Sequence, residues 1–257
     1  MTAQEFSFGD RLNRVPDATV DFWLIKLMAV TMGETAADYL AVNLGLGLTV
    51  TSLIMTVALI AAIMLQYAQK RYVPWVYWTA VVMISIVGTL VSDNLVDNFG
   101  VPLEATTAIF TIALAVTFLC WWRSERTLSI HTIFTDRRET FYWLAILLTF
   151  ALGTSAGDLV AEAFGLGYLS TGIIFGAIIA AIAFGYYALK MSGILMFWLA
   201  YILTRPLGAS IGDFMSQPTE YGGLDFGTTY TSLLFLGVIT LIVIYMSMTY
   251  RLERSPQ

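Results

Sequence analysis

Eight apolar runs recur along the chain, at residues 20–42, 46–68, 75–97, 103–122, 141–163, 168–189, 193–215 and 228–249. Each is continuously apolar over about the 20 residues a helix needs to cross the hydrocarbon of a bilayer. A β-barrel would show short segments of alternating polarity instead, so the pattern predicts an all-α membrane protein of eight transmembrane helices. Gly45, Gly47, Pro74, Gly100, Pro102, Gly165, Gly167, Gly222 and Gly223 punctuate the runs, as expected of turn-forming residues. Residues 20–249 are read as one membrane domain between a polar N-terminal segment, 1–19, and a tail, 250–257. No small-residue cleavage site follows the first run, so it is expected to be a retained helix and not a signal peptide.

Within the runs one pattern repeats four times. An aromatic–tryptophan pair occurs at Phe22-Trp23, Tyr77-Trp78, Tyr142-Trp143 and Phe197-Trp198. At a fixed spacing after each Trp comes a glycine (Gly33, Gly88, Gly153, Gly208), and at a second fixed spacing an aspartate (Asp38, Asp93, Asp158, Asp213). The register is kept without a gap, and such self-similarity sets the architecture: four two-helix repeats, approximately 20–73, 74–122, 141–190 and 193–249, grouped into two halves of about 120 residues. Two helices per copy bring every copy in from the same side, so the repeats are parallel, with a pseudo-symmetry axis along the membrane normal.

On the Trp, Gly and Asp set, over about residues 20–250, the sequence resembles a bacterial family of uncharacterised membrane-anchored proteins. That family has four tandem two-helix repeats of unknown function, each with a characteristic tryptophan. The resemblance implies the architecture and no activity.

Charge orients the helices. Eleven of the thirteen lysines and arginines fall on one side: Arg11 and Arg14, Lys70 and Arg71, Arg123, Arg126, Arg137 and Arg138, Lys190, and Arg251 and Arg254. The positive-inside rule places both termini in the cytoplasm, here of a bacterial cell with the chain in its inner membrane. Charged residues make up only 12% of the chain, about half the share usual in soluble domains. The single Cys120 excludes a disulfide framework or a cysteine metal cluster, and His131, the only histidine, lies in a loop. The tryptophans, near the cytoplasmic helix ends, read as an interfacial belt. The glycines, near mid-membrane, read as close-packing points or as breaks that free carbonyls for a cation. A kink is expected in the seventh helix at Thr204-Arg205-Pro206.

The acids carry the candidate chemistry. A charge in a membrane helix costs about 2.5–3.5 kcal/mol on insertion scales. The four Asp lie roughly a third of the span in from the outer face. They either bond to neighbouring repeats or converge on a cation. The copies also differ. Glu34, Thr89, Thr154 and Ala209 precede the Asp by a turn, and Val42, Asp97, Glu162 and Gln217 follow it by one. Residues four apart share a helix face, which would align Glu34 with Asp38, Asp93 with Asp97, and Thr154 with Asp158 and Glu162. Oxygen-rich columns suit hard divalent cations. Two cations occur once within the runs: Lys26, near enough to the helix end to snorkel, and Arg205, placed to pair with an acid.

These features predict a secondary transporter, an exporter or proton exchanger, of a hard divalent cation, with Mn²⁺ first. Its candidate ligands are Glu34, Asp38, Asp93, Asp158, Asp213, Thr154, Glu162 and Asp97, and Lys26 and Arg205 are charge partners. No tightly bound cofactor is expected. The partners are lipid, the cation and protons. Nucleic acid is not a partner, and a homo-oligomer is left open. The alternatives are a non-transporting scaffold or regulator and, remotely, an intramembrane aspartyl protease. The protease's Gly-x-Gly-Asp is incomplete in Ser155-Ala156-Gly157-Asp158 and Ser210-Ile211-Gly212-Asp213. With no phosphate loop, nucleophile elbow or zinc-protease helix, the chain is not expected to be an enzyme.

Overall fold

The computed structural model describes residues 13–252, with side chains to 249. Arg11, Arg254, the side chain of Arg251 and most of the 250–257 tail lie outside the described residues. Among the described residues there are eight long helices and no strand: α1 Val20–Asp38, α2 Gly47–Tyr67, α3 Pro74–Asp93, α4 Leu103–Glu125, α5 Asp136–Asp158, α6 Gly167–Tyr187, α7 Gly193–Ser216 and α8 Gly227–Leu252. Local chemistry sets their ends. The Thr19 and Thr135 hydroxyls cap α1 and α5 by accepting from the N–H of Phe22 and Arg138, which satisfies donors a helix start leaves free. The Thr135 cap begins α5 ahead of its apolar run. Gly45 and Gly47 turn the chain from α1 into α2 with φ of 69° and 73°, a region glycine enters without steric cost.

Seven of the helices are long and apolar enough to cross a membrane. The exception, α1, carries Asp21, Lys26, Glu34 and Asp38 within 19 residues. It is also enclosed by protein, packing against α3, α7 and α8.

The odd helices form an inner ring in the order α1, α3, α5, α7, and α7 returns to α1. The even helices lie outside it, each against the first helix of the following copy: α2 on α3, α4 on α5, α6 on α7, and α8 on α1. The repeated residues make this ring. A Cβ on Gly88 would lie 2.6 Å from Phe150 Cβ, and one on Gly208 would lie 2.8 Å from Val30 Cβ. Cβ atoms on Gly33 and Gly153 would overlap the side chains of Ser85 and Arg205. Each glycine thus meets the next copy three residues before that copy's own glycine, and the fourth meets the first. Small residues of this kind let helix backbones approach in lipid, where hydrophobicity gives no drive to associate.

The aromatic pairs close in the same sense. Phe22 contacts Trp78, Tyr77 contacts Trp143, Tyr142 contacts Trp198 and Phe197 contacts Trp23, with ring centroids 5.6, 5.5, 6.2 and 5.6 Å apart, inside the favourable range for aromatic pairs. The expectation of a lipid-facing tryptophan belt is corrected here: Trp78, Trp143 and Trp198 are buried. Their Nε1–H groups donate inward, to Tyr72 Oη, Glu139 Oε1 and the Leu128 carbonyl. They stand at the depth the sequence implied but face the protein.

Candidate functional site

The inner ring is filled along its axis, and the filling changes from one end to the other. At the N-terminal end lies the aromatic girdle, where the Tyr77 and Tyr142 hydroxyls meet at 2.5 Å. Next comes Lys26, fully buried. Its Nζ donates to the Tyr201 carbonyl at 2.8 Å and stands 3.9 Å from the centre of the Tyr201 ring. The expected snorkelling does not occur, because α1 is enclosed and its lysine stem points into the ring.

One layer further, α7 contributes Arg205, also fully buried. Its Nη2 donates to Glu34 Oε2 at 2.7 Å, to Thr154 Oγ1 at 2.8 Å and to Thr89 Oγ1, and its Nη1 reaches the Val30 carbonyl at 3.5 Å. Thr89 Oγ1 in turn donates to Glu34 Oε2 at 3.1 Å. Glu34, Thr89, Thr154 and Ala209 are the residues directly after the four repeated glycines, so the ring gathers them into one buried layer. Glu34 is here an ion-pair partner. The Arg205–Glu34 contact and the Lys26–Tyr201 contact both bridge α1 and α7. All the single-copy charges of the axis therefore sit at the one seam of the ring that joins the last copy to the first.

Beyond this layer stand the four repeated aspartates. Asp38, Asp93 and Asp158 are half-buried, and Asp213 is buried. They stand at matching positions on the four ring helices, five residues beyond the contact glycines. Asp93 lies within Coulombic reach of Glu34, Asp158, Asp38 and Asp97, and Asp213 of Glu34, Asp38, Asp158 and Glu162. Asp158 feels Glu34, Glu162, Arg205 and Asp38, and Asp38 feels Glu34, Asp97 and Glu162. Among the described residues none of the four has a hydrogen-bond or ion-pair partner, whereas Glu34 is held by two groups, Arg205 and Thr89. The four do not form a tight chelate: no group of three His, Cys, Asp or Glu side chains among the described residues is close enough to hold a metal ion directly.

The outer acids sit at the exposed edge of this ring. After the aspartate, copies one to three leave the α-helix for a single π-helical stretch, Tyr39–Asn43, Asn94–Asn98 and Leu159–Ala163. The wider turn shifts the facing of whatever follows, so the columns expected from fourfold spacing do not continue. Asp97 and Glu162 are exposed, and Glu162 accepts from Tyr168 Oη at 3.4 Å. Such π-stretches within helices are frequent at functional sites. The fourth copy lacks one: α7 runs on to Ser216 and a longer connection leads to α8.

Two groups of residues were missed from sequence. Thr51, Thr106, Thr171 and Thr231 are all buried near the start of the outer helices. Three of them share one offset from their aspartate, and the longer fourth connection displaces the last. That recurrence was the available signal. A second polar cluster lies at the opposite end. Arg14 pairs with Asp136 at 2.6 Å and with the buried Glu139 at 2.5 Å, and Glu139 also accepts from Gln66 and Trp143. Burial works against the Arg14 guanidinium, but bonds to the two carboxylates outweigh it and raise its pKa. This cluster docks the N-terminal segment onto α5, far along the axis from the aspartates.

Comparison with known families agrees with the fourfold geometry. The family described as "Repeat of Unknown Function (DUF347)" matches at residues 22–72, 76–127, 141–192 and 196–252. No curated protein and no solved structure matches the chain.

Proposed function

The chain belongs to the family of DUF347 repeats, and from that premise we propose that it is a secondary transporter of a hard divalent cation, Mn²⁺ first, working through the axis of its inner ring. The observation that carries the reading is the ring of four aspartates, clustered within reach of one another's charge and without partners among the described residues. A membrane protein rarely keeps carboxylates in such a place without a task or a counter-charge. A divalent cation is the counter-charge that four such groups attract. The donors are all hard oxygens, with neither His nor Cys nearby, which suits Mn²⁺, Mg²⁺ or Ca²⁺ over softer ions. Because the carboxylates are too spread for direct chelation, the ion is received with water still attached.

In this reading all eight helices span the inner membrane with both termini in the cytoplasm. The lysine–arginine bias supports that orientation, and α1 is tolerated because Lys26 and Glu34 face the protein. The short loops among the described residues offer no nucleotide site, and in this reading an ion gradient supplies the energy. A second reading, a non-transporting scaffold, is favoured by the Arg205–Glu34 pair, which closes the axis in this conformation.

The test is flux. Purified protein in liposomes loaded with a Mn²⁺-quenched dye is expected to admit Mn²⁺, and Asp38→Asn/Asp158→Asn to slow entry at least tenfold while eluting and melting like the parent. Parent-like flux in the double variant would sink the aspartate ring as the cation's station, and no flux in the parent would favour the scaffold.

A further inference from the structure

Beneath the aspartate ring lies a layer in which oxygens from several helices converge on one group. Glu34 Oε2, Thr89 Oγ1 and Thr154 Oγ1 all point at one nitrogen, Arg205 Nη2, and the Val30 carbonyl faces the adjacent Nη1. These groups come from three different helices of the ring. One carboxylate, two hydroxyls and a carbonyl around a single positive centre is the donor set of a dehydrated cation site, here filled by a cation tethered to α7.

We propose that this layer is a second, inner cation site, selective for a monovalent ion of the Na⁺ type, and that the Arg205 guanidinium is its built-in occupant. The assignment rests on the transport reading for its role, the inner ion being the driving ion of the exchange, but not for its existence. Charge sets the valence. The layer holds one carboxylate, and Arg205 balances it one for one, so a monovalent replacement leaves the buried charge unchanged. A divalent ion would add an uncompensated charge deep in the membrane, which is costly. The guanidinium also has somewhere to go, since Arg205 packs on α5 at Gly153, the helix that carries Asp158 further along. When Arg205 leans toward Asp158, the inner oxygens are freed for the ion. When it returns, the ion is expelled. Occupation of the two layers is thereby linked through one side chain. Its Nε, buried without a partner among the described residues, does not hold it in the seat.

The experiment removes the tether. Purified Arg205→Ala is melted in NaCl and in choline chloride of equal concentration. Na⁺ is expected to raise its melting temperature by about 3 °C or more, by mass action on the folded state, and to do little to the parent protein. Arg205→Ala/Glu34→Gln should lose the difference. Arg205→Lys, which keeps a shorter tethered cation and the buried charge balance, covers the case in which Arg205→Ala does not fold, and is expected to show a smaller Na⁺ effect. Equal melting of Arg205→Ala and of Arg205→Lys in Na⁺ and choline overturns the site. So does a Na⁺ effect that survives Glu34→Gln. Stabilisation by MnCl₂ that needs Glu34 and exceeds that of Na⁺ overturns the monovalent assignment. Binding and flux separate the two proposals: Na⁺ binding without Mn²⁺ flux in the parent leaves the inner site standing and removes the transporter, and the reverse result does the opposite.

Discussion

Arg205 and Glu34 lie where water cannot compensate either charge, so each depends on the other. Breaking a buried pair from one side typically costs about 3–5 kcal/mol, while removing both partners costs far less. Glu34→Gln in choline chloride is therefore expected to lower the melting temperature sharply, and Glu34→Gln/Arg205→Met to recover more than half of the loss. Equal losses in the single and double variants would mean that the pair contributes by packing alone. Lys26 poses the opposite case. Its three donors find one carbonyl and two aromatic faces, those of Tyr201 and Phe150, and no carboxylate pairs with it among the described residues. Lys26→Met keeps the stem and removes the amine, so it is expected to melt higher than the parent, by the ~1–3 kcal/mol that buried donors left without partners cost. A lower melting temperature would show that the amine is needed where it is.

The repeated glycines act through the helices they join. Gly88 leaves 2.6 Å between a would-be Cβ and Phe150 Cβ, and Phe150 is itself fully buried, so Gly88→Ala must push α3 from α5. Overpacking of this kind costs about 1–3 kcal/mol. Gly237 on α8 meets nothing within 4 Å, and Gly237→Ala is expected to be neutral or to gain up to about 1 kcal/mol from helix propensity. Thermal melts of the two in one detergent check the contrast, and equal effects would deny the glycines their role as contact points. At this scale the sequence was legible in part. The spacing of Trp, Gly and Asp disclosed which positions recur, and that is enough for four copies of two helices. It did not disclose what each position meets, because the partner of Gly88 is on another copy and periodicity within one helix carries no record of it. Helices that are apolar nearly all round also carry little facing information. Hence Trp78 and Trp143 could be placed at the right depth and turned the wrong way. The π-stretches were invisible for a related reason: Tyr39–Asn43, Asn94–Asn98 and Leu159–Ala163 share no residue pattern that marks a wider turn.

For the whole molecule, the division of labour follows the seam. The symmetric residues build a ring of four like contacts, and the residues that break symmetry, Lys26, Glu34 and Arg205, gather where the last copy meets the first. The sequence showed these three as single-copy charges, but only closure of the ring explains why two belong to copy one and one to copy four. Closure has a further consequence for the polypeptide itself. Since α8 seats on α1 as α2 seats on α3, and α7 meets α1 as α1 meets α3, the order in which the helices are threaded is incidental to how they fit. A circularly permuted gene that opens the exposed connection between Lys190 and Met191 and joins the old ends through a flexible linker should yield the same bundle, as exposed loops tolerate such cuts. Matching helix content by circular dichroism and a melt close to the parent's would bear this out. A product that aggregates, despite a linker long enough to reach, would mean that the order of synthesis, and not the fit of neighbours alone, decides how this ring is assembled.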